Sequence, residues 1–282
     1  MKNASTITVE RVTPKIVKIR FANPPVNLIV PETVTRLHEV VKELSEDEKV
    51  HVVIFTSGVA DYFYNHFDLT RISDFPGASE DAEDAGADGI SVWTDLVIRL
   101  SKAPFISIGA IRGRTRGGGN ELSLAFDLRY ASREKAFFGQ PEVGSGVIPG
   151  GGGSERLPRL IGRDRALEVI LSSEDYDADI AEHFGWVTRA IPDKDLDSFV
   201  DAMASRLASF DKTALAAAKM QINRATLPPD ADLQAAYTEF MASLSFPGFK
   251  PRAAKLLKFL TDLGIHDIEK RLGHYIGIAS KF

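Results

Sequence analysis

Two glutamates, Glu121 and Glu142, lie within one glycine-rich stretch, residues 116–162, and each follows a turn that exposes main-chain groups. Glycine runs let a ligand approach backbone N–H groups closely, because no Cβ stands in the way. A carboxylate placed beside such donors can act as an acid or a base on the group that the donors polarise. This pairing indicates an enzyme.

The first glycine cluster reads Gly117-Gly118-Gly119-Asn120-Glu121 and lies between a predicted strand and the apolar run at 122–126. We therefore expect Gly118 at the start of a helix, where free N–H groups and the helix dipole favour a developing negative charge. Glu121 then falls in the first helical turn. The cluster by itself fits close packing equally well, with Glu121 only complementing the dipole.

The second glutamate ends the run Phe138-Gly139-Gln140-Pro141-Glu142. Here a short predicted strand leads into a turn whose backbone is fixed by the proline. An acid in a loop after a rigid strand is well placed for catalysis, although an isolated Pro-Glu is also common in exposed loops. A further glycine run at 150–153 leads into a predicted helix that Gly162 terminates.

Composition limits the kinds of protein that this chain can be. Its 282 residues are 44% hydrophobic, which suffices for one large core with or without a helical appendage. The formal charge of −5 gives no general attraction to nucleic acid or to an anionic membrane, so neither is an expected partner. The chain has no cysteine, which excludes disulfides, a thiolate nucleophile and cysteine metal sites.

Several common catalytic signatures are missing from the sequence. It contains no P-loop, no G-x-G-x-x-G, no H-E-x-x-H and no G-x-S-x-G motif, which argues against NAD enzymes and lipases. The six histidines are scattered, so we expect no metal site and favour a metal-free mechanism.

Strand and helix patterns alternate along the first two thirds of the chain. Runs rich in β-branched residues lie at 6–12, 16–21, 51–56 and 105–111, with helices predicted from Pro31 and near 91–100. An acidic segment at 76–89 predicts a surface loop. Helical patterns follow at 199–207, 214–222, 233–244 and 252–263. We predict an α/β core over residues 1–195, which carries the active site, and a C-terminal helical region over 196–282.

Together and in this order, the motifs resemble the crotonase family, the superfamily of enoyl-CoA hydratases and isomerases. The resemblance rests on the glycine cluster before Glu121, on the run that ends at Glu142 and on residues 148–157, and it covers about residues 6–210. Weaker matches are Asn23-Pro24-Pro25-Val26-Asn27 and residues 63–69. The family's fold is a spiral of ββα turns, followed by C-terminal helices that mediate trimers or dimers of trimers.

The resemblance implies reversible addition of water to a 2-enoyl-CoA thioester. The N–H groups of Phe67 and Gly118 would stabilise the enolate oxygen, while Glu121 and Glu142 act as an acid–base pair on one water. Coenzyme A would enter as part of the substrate, so no separate cofactor is expected. The substrate-binding positions carried over from the family are Val26, Asn65, Asp68, Leu69, Gly117, Pro141 and Gly150.

The chain departs from the family's pattern at several positions. His66 replaces a glycine, and Phe67 replaces an alanine, so its ring would narrow the acyl pocket or stack on an aromatic acyl group. Arg116 stands where small apolar residues are frequent and would meet an anionic group or form a surface ion pair. The tail after about residue 245 also lacks the family's usual ending.

Three alternatives to hydration stay open. One is an enoyl-CoA delta-isomerase or another acyl-CoA enzyme of the same fold. A second is a Clp-type serine peptidase, for which Ser123 is the serine nearest the glycine turn. The third is a catalytically silent binding protein of this fold.

Nothing in the sequence resembles a signal peptide or a membrane span, so we expect a cytoplasmic protein. The run Ser280-Lys281-Phe282 approximates the peroxisomal S-K-L signal, which makes the peroxisome the alternative location.

Overall fold

The computed structural model describes residues 6–74 and 91–279. The strands in these ranges are β1 (Thr6–Thr13), β2 (Ile16–Ala22), β3 (Val52–Ser57), β4 (Tyr62–Tyr64), β5 (Ile106–Ile111), β6 (Arg114–Arg116), β7 (Leu128–Ser132), β8 (Phe137–Gly139), β9 (Asp175–Asp177) and β10 (Arg189–Ile191). The helices are α1 (Pro31–Glu46), α2 (Val92–Lys102), α3 (Gly118–Leu124), α4 (Glu142–Ser145), α5 (Gly153–Ile161), α6 (Arg163–Ser172), α7 (Ala178–Phe184), α8 (Leu196–Ala208), α9 (Lys212–Thr226), α10 (Asp230–Ser243), α11 (Phe249–Leu263), α12 (Ile265–Lys270) and α13 (Leu272–Ala279). Short 3-10 helices lie at Leu69–Asp74 and Asp193–Asp195.

The larger sheet has six strands in the order β1-β2-β3-β5-β7-β10. β1 pairs antiparallel with β2, and the other neighbours in this sheet are parallel. Parallel strands need crossover connections, which the helices between them supply. The α/β class predicted from the sequence is confirmed.

Helices cover both faces of the larger sheet. Val53 and Phe55 of β3 face the cluster that contains Leu37 of α1, whereas Val52 and Ile54 face α8. Successive strand residues point to opposite faces, so a strand covered on both sides must be apolar throughout. This burial explains why the first four residues of β3, Val52 to Phe55, are all apolar.

A smaller sheet carries the segments in which the sequence analysis places the candidate site residues. Its strand order is β4-β6-β8-β9, with β4, β6 and β8 parallel and β9 antiparallel to β8. The carboxyl ends of parallel strands meet at one edge of a sheet. The loops that follow β4, β6 and β8 therefore start side by side.

The C-terminal helices correspond only partly to the sequence patterns. Helices α8 to α11 are close to the predicted segments, whereas α12 and α13 were not predicted. Their apolar residues Ile268, Leu272, Tyr275 and Ile276 form a separate cluster against α11. Since α8 packs on the larger sheet, the helical region is in direct contact with the core; the division at residue 195 stays a prediction.

Two sequence interpretations concern residues outside the described ranges: the acidic segment at 76–89 and the C-terminal run Ser280-Lys281-Phe282. Within residues 6–74 and 91–279, no helix has the length and apolar character needed to cross a bilayer.

We predict that Gly119→Ala is strongly destabilising. The added Cβ would lie 1.7 Å from the carbonyl oxygen of Tyr64 and 2.5 Å from that of Asn65, so the backbone itself would have to move. We expect a loss of about 3 kcal/mol in the free energy of unfolding, measured by urea denaturation.

Gly277→Ala is the matched control. Gly277 lies in α13, and a Cβ there meets nothing within 4 Å. This change should leave stability unchanged or raise it by up to about 1 kcal/mol. Equal stability of the two variants would contradict the close approach at Gly119.

Candidate active site

Three loops form the site, and each begins where a strand of the smaller sheet ends. Residues 65–68 follow β4, residues 117–121 follow β6 and residues 140–142 follow β8. The register pairs Arg116 with Gly139, so the second and third loops leave the sheet at the same level. The N–H of Gly117 donates to the carbonyl oxygen of Gly139 at 3.1 Å, which ties these two loops together.

The glycine turn starts helix α3 as the sequence predicts. Gly117 is the N-cap residue, with a φ of 50° that favours glycine, and Gly118 is the first helical residue. The N–H of Gly118 is one of the first four in the helix, and these have no acceptor within it. A Cβ at Gly118 would lie 2.4 Å from the Phe67 ring, so only glycine allows this ring to pack on the turn.

Phe67 lies beside this turn in a short parallel bridge with Ile29. The bridge uses the carbonyl of His66 and the N–H of Asp68, each in a hydrogen bond of 2.9 Å to Ile29. Peptide groups alternate in direction along an extended segment, so the N–H of Phe67 points away from Ile29. Its ring contacts Trp93 edge-on, with 4.8 Å between ring centroids.

A largely apolar cavity of about 280 Å³ lies between these loops and the C-terminal helices. It brings together eight of the predicted site residues: Phe67, Asp68, Leu69, Gly118, Glu121, Pro141, Glu142 and Gly150. The opposite wall comes from helices α10 to α13, which include Phe240, Leu257, Ile268 and Leu272. Helices of the same chain therefore form this wall of the cavity.

Three of the predicted substrate-binding residues are not among those that line the cavity. Val26 and Asn65 are buried behind its wall, where the Asn65 side chain contacts the Val26 carbonyl oxygen at 3.4 Å. Gly117 is the N-cap of α3, and a Cβ there would meet Glu142 and His66. Their contact with a substrate stays a prediction.

Glu121 is held inside the cavity wall with 2% of its surface exposed. Its Oε1 accepts hydrogen bonds from the N–H groups of Gly151 at 2.8 Å and Gly153 at 3.1 Å, which join α3 to the second glycine run. Burial, and then the charge of Glu142, raise the pKa of Glu121 to about 8 against these two hydrogen bonds. The carboxyl is therefore protonated well into the neutral range.

Glu142 is the first residue of α4, directly after Pro141. Its Oε2 is buried and has no hydrogen-bond partner among the described residues. Burial raises its pKa to about 7, against the lowering effects of its own backbone N–H and of the charge on His66. Glu121 and Glu142, called the carboxyl pair below, thus share a pH range in which one of the two is protonated and the other ionised.

Sequence reasoning missed Glu269, a buried residue of α12 that lines the same cavity. It contacts His66 and Asn65, which lie more than 200 positions earlier in the chain. The one local signal was an acidic residue beside Ile268 and Leu272, which repeat at helical spacing. That signal indicates a helix face, but it does not indicate that the Glu269 side chain contacts His66 and Asn65.

Arg116 is not on the surface, so the surface ion pair considered from the sequence is wrong. Its side chain is 1% exposed and binds the Asp175 carboxylate through two contacts of 2.6 Å. The anionic group that Arg116 binds is therefore a side chain of the protein itself, Asp175. Bidentate pairing of this kind is what allows a guanidinium to be buried.

Ser123 is fully buried and donates to the Asn120 carbonyl oxygen at 2.7 Å. It does not line the cavity, which argues against a serine nucleophile at this site. No group of three or more potential metal ligands occurs among the residues that the structure describes.

Comparison with known proteins agrees with this geometry. The family model described as enoyl-CoA hydratase/isomerase matches residues 11–246, which include both glycine runs and both glutamates. The chain belongs to this family. Helices α11 to α13, and with them Glu269, lie beyond the matched part.

Individual relatives of this family member carry related names. A crystal structure of a Streptomyces avermitilis protein named as an enoyl-CoA hydratase is 40% identical, with a TM-score of 0.89 and 96% of each chain covered. A Mycobacterium bovis protein named as an enoyl-CoA hydratase is 34% identical over 78% of this chain and 82% of the relative. A Dictyostelium discoideum protein named as a mitochondrial enoyl-CoA hydratase is 33% identical over 70% of this chain and 68% of the relative.

We predict that Glu121→Gln stabilises this family member at neutral and alkaline pH. An exposed carboxyl loses its proton near pH 4.5, whereas the folded protein holds that of Glu121 to about pH 8. Unfolding therefore releases a proton across this window, and the free energy of unfolding falls by up to about 1.4 kcal/mol for each pH unit. The Gln side chain keeps an oxygen that can accept from the N–H groups of Gly151 and Gly153, but it cannot ionise.

The check is the melting temperature of both proteins at about pH 5 and about pH 8. The advantage of Glu121→Gln should be small at the lower pH and larger at the higher one. Parallel melting curves across the range would show that Glu121 ionises normally in the folded state.

Proposed function

We propose that this chain is an enoyl-CoA hydratase, which reversibly adds water to a 2-enoyl-CoA thioester. The observation that supports this most is the carboxyl pair: both groups are titratable near neutral pH and line one cavity with Gly118 and Phe67. Hydration needs one group that takes a proton from water and another that delivers a proton to carbon. A pair with one proton between them can do both.

The first half of the reaction forms a bond between the water oxygen and Cβ of the substrate. One carboxylate of the pair takes a proton from the water, and the electrons of the double bond move to the thioester oxygen as an enolate. The N–H groups of Gly118 and Phe67 would donate to that oxygen. The loss of one such donor typically costs about 3 to 4 kcal/mol of transition-state stabilisation.

The second half returns the electrons from the enolate to Cα, which takes a proton from the protonated carboxyl of the pair. The other carboxyl of the pair now carries the proton that it took from water. The pair therefore again holds one proton and can start another cycle. The net change is the addition of one water across the double bond, and no oxidant, reductant or separate cofactor takes part in it.

The cavity walls suggest an apolar acyl group beside the carboxyl pair. Phe67, Trp93 and Phe240 contribute aromatic surface, and the C-terminal helices contribute aliphatic side chains. We propose an acyl-CoA thioester as substrate on this basis. Assembly into a trimer or a dimer of trimers, and a cytoplasmic location, stay predictions.

We predict that Glu121→Gln and Glu142→Gln each lower the rate of crotonyl-CoA hydration by about 10² to 10⁴, the usual contribution of a positioned acid or base. Gln preserves the shape of each side chain and removes its ability to carry a proton. The measurement is loss of the enoyl thioester absorbance, with acyl-CoA binding followed separately by thermal shift.

Glu168→Gln is the control, because Glu168 is an exposed glutamate of α6 outside the cavity. It should hydrate at the wild-type rate. Wild-type turnover by both cavity variants would refute the proposed function. Faster conversion of a 3-enoyl-CoA than hydration of the 2-enoyl isomer would indicate an isomerase, and binding without any turnover would indicate a silent binding protein.

Phe67→Ala should shift the choice of acyl group towards bulkier substrates. The Phe67 ring fills the space beside Gly118 and Trp93, and alanine would open it while keeping the backbone N–H. We expect the ratio of kcat/KM for a cinnamoyl-type CoA to that for crotonyl-CoA to rise by about tenfold, as expected for about 1 to 3 kcal/mol of pocket discrimination. A weakened oxyanion site would lower both rates together, so an unchanged ratio would contradict this role of the ring.

A further inference from the structure

His66 has an acceptor at each of its two ring nitrogens. Nδ1 lies 2.8 Å from the carbonyl oxygen of Phe67, and Nε2 lies 3.0 Å from Oε1 of Glu269. A carbonyl oxygen only accepts hydrogen bonds, and so does an ionised carboxylate. Both nitrogens must therefore carry a hydrogen when Glu269 is ionised, which makes the ring an imidazolium cation.

The surroundings of Glu269 favour its ionised form. Its Oε2 accepts from the Asn65 side chain at 2.8 Å and lies 3.6 Å from the Arg116 guanidinium, which also donates to the Glu269 carbonyl oxygen at 2.7 Å. Burial raises the pKa of Glu269, but His66 and Arg116 lower it by more, so the net pKa is far below its usual range. Arg116 in turn is matched by Asp175.

The pKa of His66 moves in the opposite direction. Burial lowers it, but the charge and the hydrogen bond of Glu269 raise it by more, so the net pKa is above its usual value. The acceptors at both ring nitrogens and the raised pKa both indicate that His66 is a cation. With Arg116 matched by Asp175 and His66 by Glu269, the cluster is neutral overall, and His66 is the member whose charge lowers the pKa of Glu142.

His66 and Glu142 approach each other across Gly117. A Cβ at Gly117 would lie 3.1 Å from Cβ of His66 and 2.8 Å from Oε1 of Glu142, so only a glycine separates the two side chains. His66 and Glu142 also line the same cavity. At this short range the charge of His66 lowers the pKa of Glu142.

The charged groups in the same ion-pair network or cavity lining as His66 are Glu269 of α12, Arg116 of β6, Asp175 of β9 behind Arg116, Glu142 of α4, Glu121 of α3 and Asp68 on its own loop.

We propose that His66, held as a cation by Glu269, is a positioning residue that stabilises the singly ionised form of the carboxyl pair and so sets the lower pH limit of turnover. This inference rests on the proposed function. It gives α12, which lies beyond the part of the chain that matches the family model, an electrostatic role at the reacting groups.

The direction of the effect follows from the charge. The pair works with one proton, and a nearby cation opposes uptake of the second proton, so it extends activity to lower pH. Removal of the cation makes the second proton bind at higher pH. The acid limb of the pH profile then moves upward.

The test is the pH dependence of kcat/KM for crotonyl-CoA hydration by the wild type, His66→Gln, His66→Lys and Glu269→Gln. We expect the acid limb to move up by about one pH unit in His66→Gln and Glu269→Gln, the lower end of the effect of a nearby opposite charge. His66→Lys keeps a cation, so its limb should lie nearer to the wild type. The alkaline limb should move in the same direction in His66→Gln and Glu269→Gln, because the cation also favours loss of the remaining proton.

Asp95→Asn is the matched control, since Asp95 contacts His38 outside the cavity in the other histidine–carboxylate pair of the described residues. It should leave the acid limb in place. An equal loss of rate at every pH in His66→Gln and Glu269→Gln would show that the pair is only a structural clamp, and would overturn the proposal.

Glu269→Gln also removes a contact of α12, so a second measurement separates charge from folding. In ¹⁵N-histidine spectra, the His66 resonance is the one that is missing from His66→Gln. At about pH 8 this resonance should be that of an imidazolium in the wild type and that of a neutral ring in Glu269→Gln. A neutral His66 in the wild type would overturn the proposal.

A chain that hydrates no 2-enoyl-CoA at any pH would refute the proposed function separately. Titration of ¹³C-labelled glutamate carboxyls in the wild type and in His66→Gln still tests the coupling in that case. Absence of a shift at Glu142 would then overturn it.

Discussion

The parallel pairing of β4, β6 and β8 is the constraint on which the site depends. These strands are short, and what they contribute is a common edge from which three loops start. The hydrogen bond from Gly117 to Gly139 fixes two of these loops to each other. The glycine turn and Glu142 are therefore positioned by backbone pairing, and their relative placement does not require a particular side chain at His66 or Phe67.

Burial of two carboxyls in one apolar cavity has opposite effects on stability and on chemistry. Each carboxyl would be more stable in water, where its charge is solvated. Enclosure brings their ionisation into the neutral range, where the proposed hydration needs an acid and a base at the same moment. The two N–H groups that Gly151 and Gly153 direct at Glu121 limit this effect and hold the carboxyl in one orientation.

The features that could be predicted from the sequence are those whose cause is local. A run of β-branched residues sets β3 and β5, and a glycine cluster before an apolar run sets the start of α3 at Gly118. The two glutamates could be singled out because each is beside such a turn. These are properties of a few neighbouring residues, and they give the fold class and the wall of the cavity that carries the carboxyl pair.

What could not be predicted depends on contacts between distant parts of the chain. Glu269 meets His66 across 203 positions, and Arg116 meets Asp175 across 59, so neither partner is visible in a local window. Helix α12 has only six residues, too few for a clear period. The burial of Arg116 follows from its partner and not from its own residue type, which by itself suggests the surface.

Helix α12 presents Ile268 and Glu269, two consecutive residues, to the cavity. One lends apolar area to the wall against which an acyl chain would lie, and the other contacts His66. A shift of this one short helix would therefore change the apolar wall and the His66 contact together.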